Sequence, residues 1–526
     1  MADRAQPLRS RWGLGVAAGV AALMIGVLFA VALRADPGAG LGPADWSAIR
    51  FTVWQAILSA SCSVLLAIPV ARGIARRRFW GRRVLIALMG APFILPVIVA
   101  ILGILVVFGR SGWISDLLVL MGQEPLRIYG LQGVVLAHVF FNLPLATRLI
   151  LQGWQEIPAE RFRLAAQLNV DGPSMWRLLE WPMLRQVVPG AFAVIFAICL
   201  SSFAVALTLG GGPRATTIEL AIYEAFRLEF DLGRAALLSG LQLVLTGLAA
   251  FVALRMAIGE GFGSGLDRPL RRWDGQAAVA RGLDVVWITA AGLFLVLPLA
   301  AIVLSGIPGL LSLSARSADL LVRAAGNSLV ISATSTLLML VLVVPMTVAI
   351  ALRPLNGGGV LAELAGLLGL AVSPLVIGTG LFIVLFPFVD PFALALPVTA
   401  LVNALMALPF ALRILVPRVR DILARYGRLA LSLDLQGWTF MRVVLLPRLR
   451  PQLGFAAGLA AALSMGDLGV IALFSDSETA TLPLQVYRLM GAYRTDAAAA
   501  GALLLLCLSV GMFYVLDRGG RRHAET

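Results

Sequence analysis

Apolar runs long enough to cross a bilayer recur along the chain, separated by short polar or Pro/Gly-rich breaks. A helix needs about 20 mostly apolar residues to span the hydrocarbon. Twelve spans are predicted: residues 14–33, 52–71, 84–108, 129–150, 187–208 and 235–255, then 284–304, 326–352, 361–386, 392–415, 452–474 and 497–516. Lipid leaves no partner for an unpaired backbone group, so such runs read as helices. The expected fold class is an all-α polytopic membrane protein of two tandem six-helix halves. No gap between spans is long enough for a soluble domain.

Composition agrees. Hydrophobic residues make up 60% of the chain and charged residues 13%, with a mean hydropathy of +0.93, whereas soluble domains are about 25% charged. The net charge of +14 raises the question of nucleic acid, but such binders gather basic residues on one face. Here they sort by loop. With the N-terminus inside, Arg4, Arg9, Arg11, the run from Arg72 to Arg83, Arg268, Arg271, Arg272, Arg518, Arg521 and Arg522 all fall on the cytoplasmic side, as retention of positive loops requires. Both termini are therefore expected in the cytoplasm. The run from Leu14 to Leu33 is too long for a signal-peptide core and is expected to remain as a helix.

No lysine occurs in the sequence, which excludes the lysine-bearing phosphate loop of common ATPases. The two histidines, His138 and His523, cannot form a metal cluster or a His-based triad together with other histidines. Cys62, Cys199 and Cys507 lie far apart in apolar segments and read as packing residues. No catalytic residue, metal site or bound cofactor is expected, and His138 is expected to hydrogen-bond between helices.

Self-comparison reveals a repeat with a constant offset of 265 residues, from Asn142-Leu143-Pro144 and Arg148 to Ala407-Leu408-Pro409 and Arg413. Arg163-Leu164-Ala165 matches Arg428-Leu429-Ala430, Gly172 matches Gly437, and Arg177, Pro182 and Arg185 match Arg442, Pro447 and Arg450. Six spans per repeat keep both halves in the same orientation about an axis along the membrane normal. The expected division is a first half over 1–258, a cytoplasmic linker over 259–283 and a second half over 284–526.

Two matched cytoplasmic segments, 156–185 and 419–450, have helix-length apolar patterning interrupted by Asn169-Val170-Asp171-Gly172 and Asp434-Leu435-Gln436-Gly437. Asn, Asp and Gly tolerate the left-handed backbone of a sharp turn, and Pro182 or Pro447 is expected to break the helix that follows. Two matched protrusions suit two copies of one partner. The expected docking residues are Arg163, Leu164, Ala165, Ala166, Asn169, Val170, Asp171 and Gly172, with Arg428, Leu429, Ala430, Asp434, Leu435, Gln436 and Gly437.

These segments resemble the Glu-Ala-Ala loop of binding-protein-dependent ABC importer permeases. Ala165 and Ala430 fit its second alanine and Pro182 and Pro447 its final proline, while Arg163 and Arg428 stand in place of its glutamate and Asn169 and Asp434 in place of its glycine. Longer strings are similar to the fused thiamine branch of that family: Tyr129-Gly130-Leu131-Gln132-Gly133 leading into His138-Val139-Phe140-Phe141-Asn142-Leu143-Pro144, Leu209-Gly210-Gly211-Gly212-Pro213 with Ala215-Thr216-Thr217-Ile218-Glu219-Leu220, and Ala424-Arg425-Tyr426-Gly427. The resemblance implies the type I importer permease fold in an inner membrane. It implies two copies of a separate ATPase subunit carrying ATP and Mg, a periplasmic binding protein, and thiamine or phosphorylated thiamine as solute. A fused permease for ferric iron or another small solute shares that architecture, and an ion-coupled secondary transporter is the rival class.

Asp467 falls inside a span, where an ionised side chain costs about 2.5 to 3.5 kcal/mol, and its repeat partner is Ser202. The pair is a candidate for the translocation pathway, with the carboxylate facing a cationic solute. The alternative is a hydrogen bond between closely packed helices.

Overall fold

The computed structural model describes residues 7–35, 40–90, 92, 94–256, 277–353, 357–476 and 478–522, and all regular structure among them is helical. Most of the expected linker lies outside these residues. The first half contributes α1 (Arg11–Arg34), α2 (Pro43–Arg76), α3 (Arg82–Leu88), α4 (Val97–Phe108), α5 (Trp113–Leu120), α6 (Leu131–Glu156), α7 (Ala159–Gln167), α8 (Gly172–Met175), α9 (Trp181–Leu200), α10 (Phe203–Leu209), α11 (Ile218–Arg227) and α12 (Leu232–Met256). The second contributes α13 (Ala278–Leu311), α14 (Ala315–Leu352), α15 (Gly357–Ala371), α16 (Pro374–Leu385), α17 (Ala395–Ser432), α18 (Gly437–Phe440), α19 (Leu446–Met465), α20 (Gly469–Phe474), α21 (Leu482–Gly491) and α22 (Thr495–Arg522). Among the described residues, eleven helical stretches are long and apolar enough to cross a membrane, and there are twelve when α15 and α16, bent by 100°, are taken as one span. The fold is all-α and polytopic.

Several spans are not the continuous rods that apolar runs suggest. The run 84–108 is divided, with α3 ending at Leu88 and α4 starting at Val97 after Pro96, and 361–386 bends at Ser373-Pro374. Proline lacks the amide that would continue a helix and disfavours helical geometry in the residue before it. The fifth spans break at repeat-equivalent places, Ser201-Ser202 and Gly466-Asp467-Leu468.

Conversely, Pro182 and Pro447 do not break the helices they were expected to end. A π-helical turn, Trp176–Glu180 or Met441–Leu445, carries α8 into α9 and α18 into α19 with helical backbone throughout. The wider turn makes room for the proline ring against the preceding carbonyls. A further asymmetry follows from Pro158. It separates α6 from α7, whereas the second half lacks a proline at the equivalent place and α17 runs unbroken for 38 residues.

Packing interleaves the halves. One apolar core joins α14 to α20 with α1, α11 and α12, and the other joins α2, α4, α6 and α9 with α13, α21 and α22. The α4–α13 crossing is especially close: a Cβ on Gly103 would lie 2.4 Å from the Pro298 carbonyl oxygen. Gly103→Leu is expected to push α13 away and destabilise the protein by about 1 to 3 kcal/mol. Thermal unfolding in detergent checks this, and an unchanged midpoint would refute the steric role.

Candidate functional site

The segments 156–185 and 419–450 form two matched protrusions. On α7, Arg163 and Leu164 are exposed and Ala165 is buried, with Ala166 half-buried; on α17, Arg428 and Leu429 are exposed and Ala430 is buried. Each first helix ends in the same way. Asn169 and Asp434 adopt φ of +52° and +51°, and the next amides, of Val170 and Leu435, donate to the carbonyls of Ala165 and Ala430 at 3.0 and 2.8 Å. This is a helix stop with a left-handed residue that returns the chain onto the last turn.

The stop leaves apolar side chains in the open: Leu164 and Leu168 on one protrusion, Leu429 and Leu433 on the other. Leu168 and Leu433 were absent from the sequence-derived set, although they are repeat partners one helical turn after Leu164 and Leu429. The same pair of exposed leucines thus recurs at repeat-equivalent positions.

The starts of the following helices differ. Asp171 caps α8, accepting the Ser174 amide at 3.0 Å, and hydrogen bonds from Ser174 hold its carboxylate below the usual range. Gly172 begins α8. In the second protrusion Gln436 Nε2 donates to Asp434 at 3.0 Å, and the Gly437 amide, at φ +55°, donates to the Pro7 carbonyl at 2.7 Å. The N-terminal segment thus lies against the second protrusion.

Behind the first protrusion, Glu180 is wholly buried and pairs with Arg72 at 2.8 Å and Arg76 at 3.6 Å, both from the end of α2. The Arg72 guanidinium also lies 4.9 Å from the Trp176 ring centroid. Arg77 pairs with Asp284 of α13 at 2.7 Å. Charged and stacking contacts thus join the first protrusion to the end of α2.

Within the membrane, His138 of α6 links α2 to the break in the fifth span, with Ser59 Oγ 3.1 Å from Nδ1 and Ser202 Oγ 2.7 Å from Nε2. Its repeat partner Asn403 donates to Ser464 at 3.1 Å. Asp467 Oδ1 accepts the Gly469 amide at 3.2 Å, so one oxygen serves the start of α20. Two glutamines hold carbonyls freed by the break after α9: Gln55 Nε2 donates to Cys199 at 2.8 Å and Gln242 Nε2 to Leu200 at 2.9 Å. The cysteines are free thiols.

Beyond each break the chain turns back into the protein. The turn at Gly211 and Gly212 uses φ of +73° and +127°, which only glycine adopts readily. The amide of Ile218 at the start of α11 then donates to Thr52 Oγ at 2.8 Å, and that of Leu482 at the start of α21 to Ser328 Oγ at 2.9 Å. Two short helices are thereby held inside the bundle. Polar groups thus gather at the breaks of both fifth spans, Ser202 with His138 in one and Ser464 and Asp467 with Asn403 and Gly469 in the other.

No protein-family model matches the chain. Full-length relatives do. It is 40% identical over 537 residues to the thiamine transport system permease protein ThiP of Salmonella typhimurium and 39% identical over 539 residues to that of Escherichia coli, each alignment covering 100% of both chains. The Brucella suis protein of the same name is 38% identical over 517 residues, covering 96% of this chain and 94% of its own. This chain accordingly belongs to the family of thiamine transport system permease proteins.

Proposed function

We propose that the chain is the permease subunit of an ATP-driven importer that carries thiamine and phosphorylated thiamine across a bacterial inner membrane, both termini facing the cytoplasm. The observation that carries this reading is full-length identity of 40% to a named thiamine permease, combined with the duplicated exposed leucines on two protrusions. The chain divides in sequence into the halves 1–258 and 284–526 joined by the linker 259–283. Two copies of a separate ATPase subunit, each binding ATP and Mg, dock on the protrusions, and a periplasmic binding protein delivers the solute. This chain itself binds no cofactor.

The docking surfaces are Arg163 to Ala166 with Asn169 to Gly172, and Arg428 to Ala430 with Asp434 to Gly437. Closure of the ATPase pair pushes on both protrusions. Rigid-body rearrangement then alternates access to the central route, but the moving bodies are the two interleaved cores rather than the sequence halves. Ser202 and Asp467, at the breaks of the fifth spans, lie on that route.

Proteoliposomes holding the chain with its ATPase subunit test this, with ATP inside and loaded binding protein outside. Labelled thiamine is expected to accumulate only with hydrolysable ATP and without any ion gradient. Gradient-driven accumulation by the purified chain alone would overturn the reading in favour of a secondary transporter.

A further inference from the structure

Sequence comparison places an acid on one side only of the repeat, Asp467 against Ser202. The fold supplies a second acid, Glu219, from the short helix α11. Glu219 is 1% exposed, and its Oε1 lies 3.4 Å from Gln242 Nε2, with the Ser373 hydroxyl at the α15–α16 bend as a further neighbour. Gln242 in turn reaches the carbonyl at the end of α9. Glu219 therefore sits where the broken span of the first half meets the bent span of the second.

Asp467 lies at the break of the other fifth span, with the Gly469 amide and the Asn403 side chain of α17 as neighbours. A Cβ on Gly466, the residue before it, would lie 3.1 Å from Pro96 Cα at the break between α3 and α4. At Glu219's repeat-equivalent position in α21 stands Pro483, so the second acid comes from a different element.

The two places are connected. A Cβ on Gly469 would lie 3.7 Å from Phe203 Cδ1 and 3.8 Å from Asp467 Oδ1, so the starts of α10 and α20 adjoin. The Phe203 ring centroid is 5.4 Å from that of Tyr223, and Tyr223 follows Glu219 by one helical turn, on the same face of α11. Hydrogen-bond acceptors are in surplus here. Gln242 is fully buried and its Oε1 has no donor; Asp467 Oδ2 and the Oε1 of buried Gln55 are in the same condition. Buried acceptors without donors are unfavourable, as are buried carboxylates without a cation, and aromatic faces attract cations. Those three oxygens lack donors and neither Glu219 nor Asp467 has an ion-pair partner among the described residues, while Arg227 and Arg488, the arginines near Tyr223, donate to the carbonyls of Ser475 and Asp476.

We propose that Glu219, Tyr223 and Phe203, together with Asp467, form a transit subsite for a heteroaromatic organic cation at the crossing of the two broken spans. The proposal rests on the thiamine reading above, since thiamine carries a permanently charged thiazolium ring and an amino group with N–H donors. The site is packed shut in this conformation and opens to solute when the fifth spans part.

The assembled transporter in ATP-loaded proteoliposomes is supplied with binding protein preloaded with thiamine or with an isostere whose thiazolium is replaced by an uncharged ring. Glu219→Gln is expected to slow thiamine transport about tenfold or more and the isostere by less than about threefold, with Glu219→Asp restoring much of the thiamine rate. Equal loss for both solutes would assign Glu219 a structural role and overturn the subsite, as would no loss. An independent measurement covers a Gln variant that fails to assemble. In Tyr223→Cys, thiamine during turnover is expected to slow alkylation of the new thiol about threefold or more relative to turnover without solute, and absence of protection overturns the proposal. Failure of the unmodified transporter to import thiamine would instead remove the substrate reading.

Discussion

Gly172→Trp is expected to weaken ATPase-subunit binding about tenfold or more, equivalent to about 1.4 kcal/mol, and to lower thiamine uptake in step, while leaving thermal stability of the isolated chain unchanged. The separation of these effects comes from the surroundings of the glycine. A Cβ at Gly172 would meet no atom within 4 Å, and its φ is outside the left-handed region. A side chain there is compatible with the fold and projects from the first turn of α8, beside Asp171, into space that the proposed partner fills. Gly437 is a poorer test, because its φ of +55° would add backbone strain to any steric effect. Pull-down of the ATPase subunit and uptake in proteoliposomes measure the outcome. Undiminished binding would remove the docking surface from this protrusion.

The all-α polytopic fold was legible because a long apolar run is a one-dimensional signal, complete within each segment. The interruptions were less so. Pro96 and Pro374 stand at the starts of new helices, α4 and α16, whereas Pro182 and Pro447 sit in continuous ones because a π-helical turn absorbs the clash; the residue type is the same, and the response depends on the turn before it. Interleaving of the cores was invisible, since it depends on contacts such as Gly103 with Pro298 between segments nearly 200 positions apart.

Glu219 illustrates a different blindness. It lies in the amphipathic segment Ile218–Arg227, too short for a span and between the predicted spans 187–208 and 235–255, so periodicity gave it no place in the bundle. The Thr52 hydroxyl, 166 positions earlier, binds the Ile218 amide and brings the segment into the bundle. His138 was easier to place. Its repeat partner is Asn403, and an amide is a natural replacement for a neutral imidazole in a network of serines.

Glu180→Leu is expected to destabilise the chain by about 3 to 5 kcal/mol, because it takes the carboxylate out of a buried ion cluster whose arginines stay charged. Arg76 is only 4% exposed and would keep its charge without the carboxylate. The second half indicates how the loss can be reversed. Thr52 and Ser328 make the same hydrogen bond in the two halves, which sets the register of α2 against α14. In that register Arg72 and Arg76 correspond to Val348 and Leu352, and Glu180 corresponds to Leu445 across the fifth-span repeat. Val348 and Leu445 are buried and Leu352 partly so. The same architecture is therefore built once with an ionic cluster and once with aliphatic side chains. Combining Glu180→Leu with Arg72→Val and Arg76→Leu is accordingly expected to recover most of the lost stability, since well-packed apolar groups replace a buried ion cluster at little net cost. Thermal unfolding in detergent compares the single and triple variants. A triple variant no more stable than Glu180→Leu alone would show that the charges, and the stacking of Arg72 on Trp176, do something in the first half that packing cannot replace.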